Sequence, residues 1–262
     1  MENGLSNNTK LGQHFLIDQS VIDLMTKEVK ENGEVLEIGA GDGRLTRELL
    51  TRANKVVAVE IDERFKPDLV KLNNTKIIIA NVLDLDLEQL MSPGFQIISS
   101  IPYHISEPFL HKIITLDISN AVLLVGDGLI RGNGKLSLLL NTFFDVKLLS
   151  KVSKKSFFPI PRTDSVIIKL TSRKSGKLSN LIIKRLFLTS TGGGLLKNIL
   201  QKELGKQLNL TQKQAKEKVT LLRLDRSILD KSFDQLNNKE IESFCYNLRH
   251  YGDSGGNETA IG

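Results

Sequence analysis

The chain has one cysteine, Cys245, so no disulfide can form within it, and no group of cysteines and histidines has metal-ligand spacing. A structural or catalytic metal is therefore not expected. Long apolar runs are also missing: no stretch approaches the roughly 20 residues needed to cross a bilayer. Residues 1–10 are polar and contain no apolar segment of a secretory signal. These absences lead to the expectation of a cytoplasmic protein without membrane contact. What is present, 262 residues of which 40% are hydrophobic, suffices for one large α/β domain and a small appendage.

Charge is unevenly distributed. Residues 1–150 hold 15 lysines and arginines against 20 acidic residues, and residues 151–262 hold 21 against 10, so a net charge of −5 is followed by one of +11. A basic second part attached to a mildly acidic first part suits a protein that grips a polyanion, although a lysine-rich solvated helical surface gives the same count.

Short apolar runs at 34–38, 55–60, 76–80, 95–99, 121–125 and 166–170 alternate with helical or loop segments, a pattern that predicts a parallel sheet covered by helices. After Lys177 the β-rich runs stop and helical spacing takes over, as in Ile241, Phe244, Cys245 and Leu248. The expected organisation is a Rossmann-like α/β domain over 1–174, a helical and basic domain over 175–250 suited to a polyanion, and a disordered tail over 251–262.

The run Glu37-Ile38-Gly39-Ala40-Gly41-Asp42-Gly43 follows the first of these strands and precedes a helix, so a backbone without Cβ atoms meets the carboxyl end of the sheet. Glu60 ends the next strand, where a carboxylate accepts hydrogen bonds from ribose hydroxyls. These two features suit NAD and S-adenosylmethionine equally. Further along stands Ser100-Ile101-Pro102-Tyr103, directly after a strand.

Four motifs in order now resemble one family, the rRNA adenine N6-dimethyltransferases of the KsgA type, with the erythromycin-resistance methyltransferases as relatives. They are Gly12-Gln13-His14-Phe15-Leu16, the glycine loop with Glu60, Ser100-Ile101-Pro102-Tyr103, and the segment from Phe157 through Pro159 and Pro161 to Ser165. The resemblance implies S-adenosylmethionine as cofactor. It implies that His14 and Leu16 border the methionine end, Gly39 and Gly41 line the cofactor, Glu60 holds its ribose, and Asn81 contacts its adenine amino group where the family usually has aspartate.

The resemblance further implies that Ser100 and the carbonyl before Tyr103 accept the hydrogens of the target amine, with Pro102 shaping the turn, while Tyr103 and Phe157 close on the faces of the flipped base. Two departures stand out. The family has asparagine where this chain has Ser100, and residues 192–194 are three glycines where relatives carry basic residues. RNA grip would then fall to Lys151, Lys154, Lys155, Lys184, Arg185 and Lys197.

The implied activity is dimethylation of two adjacent adenosines in the 3′-terminal hairpin of small-subunit rRNA by a monomer acting on rRNA or a pre-ribosomal particle. Two alternatives share the same features: an assembly factor that binds RNA with weak or no activity, and a large-subunit rRNA methyltransferase conferring macrolide resistance.

Overall fold

The computed structural model describes residues 13–31, 33–114, 116–129, 135–173, 182–183, 186 and 194–252. The chain divides into two compact units, one formed by residues 1–132 and 144–172, the other by 133–143 and 173–262.

The first unit is built on a seven-stranded sheet. Its strands include β2 (Glu34–Ile38), β3 (Lys55–Glu60), β4 (Thr75–Ile79), β5 (Phe95–Ser100) and β6 (Ile118–Gly126), with β7 (Phe144–Val152) and β9 (Ser165–Ser172) at one side. The order is β4-β3-β2-β5-β6-β9-β7. Pairing is parallel from β4 to β6, and β9 runs antiparallel to both β6 and β7. Central strands β2 and β5 are buried along almost their whole length, as expected when helices cover both faces of a parallel sheet.

The order reverses at β2, whose neighbours β3 and β5 are entered by chain running in opposite directions across the sheet. That switch point lies at the carboxyl ends of the strands, where open α/β sheets hold ligands. On the sheet's flanks are α1 (Gln19–Thr26), α2 (Arg44–Leu49), α3 (Lys66–Leu69), α4 (Leu87–Leu90) and α5 (Tyr103–Ile113). Asp18 caps α1 by accepting from the Ser20 N–H at 3.1 Å, and its other carboxylate oxygen accepts from Ser156 Oγ at 2.8 Å.

Short strands β1 (Phe15–Leu16) and β8 (Phe157–Phe158) form a separate antiparallel pair, with Phe15 opposite Phe158 and Leu16 opposite Phe157. Strand β7 escapes the sequence pattern. It is an edge strand whose register shifts between Leu148 and Ser150, and its exposed Lys147 and Lys151 break the alternation.

In the second unit, α6 (Lys135–Phe143) packs with the last helix, α10 (Asn238–Gly252), while α7 (Leu196–Leu208), α8 (Gln212–Leu221) and α9 (Arg226–Leu229) complete the described helices. Leu136, Leu140 and Phe143 of α6 are buried, as are Ile241, Phe244 and Leu248 of α10. The expected single boundary near residue 174 therefore omits α6, whose apolar face draws it into the helical unit. Helix α10 also continues to Gly252, two residues into the stretch expected to be a tail. Residues 253–262, Lys184, Arg185 and Gly192 and Gly193 lie outside the described residues.

Candidate functional site

A cleft opens at the carboxyl ends of β2, β3 and β5, all within the first unit. Residues from all four motifs line it: His14 and Leu16, Gly39 and Gly41, Glu60, Ser100, Pro102 and Tyr103, and Phe157, with Asn81 beside them. The sheet topology explains the convergence, because each segment leaves or approaches the same edge.

The loop after β2 places bare backbone against the cleft. Gly39 and Gly41 have φ of 70° and 53°, a region that costs other residues strain. A Cβ on Gly39 would stand 3.2 Å from Pro102 Cδ, and one on Gly41 would stand 3.3 Å from the Phe15 ring. The loop is locked to the next strand by Glu60. One carboxylate oxygen of Glu60 accepts from the Gly41 N–H at 2.8 Å, and the other from the N–H groups of Ile61 and Asp62 at 2.9 Å each. Glu60 is only 4% exposed, and burial raises its pKa above the usual carboxylate range. Three of its roughly four lone-pair positions are occupied, which leaves one for a hydroxyl donor in the cleft.

The N-terminal segment is strapped over this wall. Gln13 Nε2 donates to Asp62 Oδ2 at 2.9 Å, and Arg64 binds the same carboxylate through Nε and Nη2. The Arg64 hydrogen bonds hold the Asp62 carboxyl down to about 2. Nδ1 of His14 lies 2.7 Å from the carbonyl oxygen of Pro159, which binds the strap to the proline segment. Asn81 begins a short helical turn, its amide oxygen accepting from the Leu83 N–H at 3.1 Å. A carbonyl oxygen has a second lone pair, so this cap does not use up the acceptor.

Sequence reasoning singled out neither Glu37 nor the Gln13–Asp62 link. Glu37 faces the cleft from within β2, is buried, and its Oε2 has no hydrogen-bond partner. The Thr46 hydroxyl is near enough to ease the charge but meets no hydrogen-bond geometry. Burial pushes the Glu37 carboxyl up to about 8, and repulsion from Glu60 and Asp42 adds to the rise. A second glutamate, placed among Val35, Leu36 and Ile38 rather than at the strand's start like Glu34, was the available signal. Arg44, the one lysine or arginine among the lining residues, is held by Asp42 at 2.9 Å. A wall whose one lysine or arginine is already paired with Asp42 offers no cation to the pyrophosphate of NAD and suits the cationic S-adenosylmethionine better.

On the adjoining wall, Ser100 is the last residue of β5, and its hydroxyl has no partner among the described residues. The carbonyl of Pro102 accepts from the Ile105 N–H at 3.1 Å and from Ser106 Oγ at 3.1 Å, so it belongs to the start of α5. This corrects the expectation that the carbonyl before Tyr103 faces a substrate. The Ile101 carbonyl accepts no hydrogen bond among the described residues, while its N–H is tied to Leu124.

Tyr103 is partly buried and its hydroxyl lies 2.6 Å from Ser165 Oγ. Its ring stands over Gly126, where a Cβ would be 3.7 Å away, and 5.9 Å from the His14 ring. Phe157 lies where the expectation puts it, at the cleft, yet it is 2% exposed and packs in the core with Leu16, Ile22 and Val152. Strand alternation turns Phe157 inward and Phe158 outward, so the accessible ring is Phe158.

Comparisons with known proteins bear on this arrangement. The family model described as ribosomal RNA adenine dimethylase matches residues 4–221. A protein named "Probable ribosomal RNA small subunit methyltransferase A" from Methanopyrus kandleri is 36% identical over 185 residues, covering 65% of this chain and 66% of its own length, just under two thirds. "Ribosomal RNA small subunit methyltransferase A" from Mycoplasmopsis pulmonis is 38% identical, covering 65% of this chain and 73% of its own. Among solved structures, a dimethyladenosine transferase from Plasmodium falciparum is 22% identical with a TM-score of 0.59, covering 92% of this chain and 99% of that one. The 23S rRNA methyltransferase ErmE gives a TM-score of 0.59 at 21% identity, covering 89% of this chain and 99% of that one. At these identities the two structures establish the fold.

Proposed function

The chain belongs to the ribosomal RNA adenine dimethylase family, and on that premise we propose that it uses S-adenosylmethionine to dimethylate N6 of two adjacent adenosines in the 3′-terminal hairpin of small-subunit rRNA during ribosome biogenesis. The observation that carries this reading is the single cleft in which the glycine loop and Glu60 face Ser100-Ile101-Pro102-Tyr103. Small-subunit rather than large-subunit rRNA is supported by the names of the relatives from Methanopyrus and Mycoplasmopsis.

When bound, the cofactor supplies an electrophilic methyl group. Glu60 would accept from its ribose, the bare backbone at Gly39 and Gly41 would admit it closely, Asn81 would accept from its adenine amine, and Glu37 would face its positive charge. An exocyclic adenine amine is a weak nucleophile because its lone pair is delocalised into the ring. The protein's task is to orient that nitrogen and to polarise its N–H bonds. Two acceptors with spare lone pairs stand at the right place in the sequence, the Ser100 hydroxyl and the Ile101 carbonyl. Tyr103, fixed at its hydroxyl by Ser165, presents a ring for the extruded base.

A second reading, an RNA-binding assembly factor with little turnover, is favoured by Ser100, whose hydroxyl is shorter than an asparagine amide and both donates and accepts. A methyl-incorporation assay on immature small subunits separates the two. Label in adjacent adenosines of the hairpin, read by mass spectrometry of the rRNA, is the expected result. Unlabelled RNA from protein that binds S-adenosylmethionine normally would sink the enzyme reading.

A further inference from the structure

Beside the cleft, the surface of the first unit carries an apolar and cationic patch that the methyl transfer itself leaves unused. Phe158 is 50% exposed and Ile160 is 60% exposed, and Ile17, whose N–H donates to the Ser156 carbonyl at 2.9 Å, is 44% exposed. Phe158 has no ring partner among the described residues. Around it in the chain stand Lys154, Lys155 and Arg162, all exposed and none in an ion pair among the described residues.

The neighbouring acids do not neutralise them. Asp164 accepts from the Lys154 N–H at 2.9 Å, and Asp18 accepts from Ser156 and Ser20. The patch is also fixed in place. Phe158 is the register partner of Phe15, whose ring backs Gly41, and the next residue, Pro159, holds His14 through its carbonyl. The ring is thus one residue away from the cleft wall at Phe157 on a paired strand.

We propose that Phe158 is a stacking platform for the nucleobase next to the target adenosine, with Lys154, Lys155 and Arg162 receiving the adjoining phosphates. The ligand identity, single-stranded RNA, rests on the proposed function. An exposed ring amid unpaired cations matches a chain that alternates π faces and negative charges. The platform would hold the flanking nucleotide while its neighbour is extruded into the cleft, so it sets RNA affinity and leaves cofactor affinity alone.

The test uses the full chain with S-adenosylhomocysteine and a small-subunit 3′-terminal hairpin carrying 2-aminopurine in its loop. Phe158→Ala is expected to weaken hairpin binding about tenfold, with cofactor affinity within about twofold of the parent as proof of an intact first unit. Phe158→Trp should restore binding, and Phe158→Leu should not, because stacking needs a π face. The Lys154→Ala, Lys155→Ala pair should reduce the salt dependence of binding by about 1.4 in log–log slope, from two phosphate contacts on a single strand.

Unchanged hairpin affinity in Phe158→Ala, or full affinity in Phe158→Leu, overturns the platform. So does a loss confined to assembled subunits with the naked hairpin unaffected, since that assigns the patch to a ribosomal protein. If the parent protein transfers no methyl group while hairpin binding still depends on Phe158, the enzyme reading fails and the platform stands.

Discussion

The two walls of the cleft are built on different principles. The wall formed by the glycine loop, Glu60 and the Gln13 strap is internally bonded: Glu60 takes three backbone donors, and Asp62 joins Gln13 to Arg64. The wall formed by Ser100, Ile101 and Tyr103 keeps its acceptors open, with no partner for the Ser100 hydroxyl or the Ile101 carbonyl among the described residues. One side is organised before any ligand arrives, and the other is organised to receive hydrogens from one. A preformed cofactor wall limits the reorganisation needed on binding, and open acceptors concentrate their effect on the reacting amine.

Predictions that break this contrast rank by size. The largest concerns the one flaw in the bonded wall, Glu37. Its carboxyl, which titrates near 4.5 when free, is raised to about 8 in the fold, so between those values the folded protein holds a proton that the unfolded chain releases. Stability is therefore fully present below about pH 4.5 and falls as pH climbs toward 8, by on the order of 3 to 5 kcal/mol for the cofactor-free protein. Urea unfolding at several pH values should show that slope, and Glu37→Gln should flatten it. An unchanged slope in the variant would place the titration elsewhere.

Next comes Glu60→Ala, which strands the N–H groups of Gly41, Ile61 and Asp62. Calorimetry should show S-adenosylmethionine affinity reduced about a hundredfold, given a penalty of roughly 1 to 3 kcal/mol for each buried donor left unpaired and partial relaxation of the loop. A third variant sharpens the open wall. Ser100→Asn offers a carbonyl acceptor with longer reach, and single-turnover methyl transfer should accelerate about tenfold or more while cofactor affinity stays within about twofold. The smallest effect is expected from Asp62→Asn, which keeps the side-chain shape but weakens the hold on Arg64 and Gln13. Cofactor affinity should drop about threefold, with the rate at saturation unchanged.

The place of this site was legible from glycines at a strand end and an acid at the end of the next strand, while the roles of its residues came from the family that the four motifs resemble. The parallel part of the sheet was legible too, from β2 to β6. What could not be read depends on three-dimensional pairing. The edge strand β7 hides behind its lysines and its register shift. Helix α6 lies in sequence between two strands of the sheet but buries its apolar face in the helical unit. Phe157 and Phe158 are chemically identical, and only the pairing of β8 with β1 decides which ring faces the core. Pro102 was assigned a free carbonyl because a motif records residue types, not the helical turn that consumes the oxygen.

The β1 and β8 pair has a bearing on synthesis. It joins residues 15–16 to 157–158, so the segment that walls the cleft at His14 and Leu16 has no strand partner until more than half the chain has left the ribosome, and its early contacts are those of Gln13 with Asp62 and of Phe15 with Gly41 and Phe65. Closing so long a loop costs chain entropy that local contacts cannot offset early. The glycine loop and Glu60 can assemble from the first 62 residues, and Gln13 can reach Asp62 as early, whereas the strand pairing and the His14 tether of the strap wait for residues 157–159. A nascent chain therefore carries an open, cofactor-accessible sheet edge for much of its elongation, and the site becomes enclosed only when the proline segment arrives.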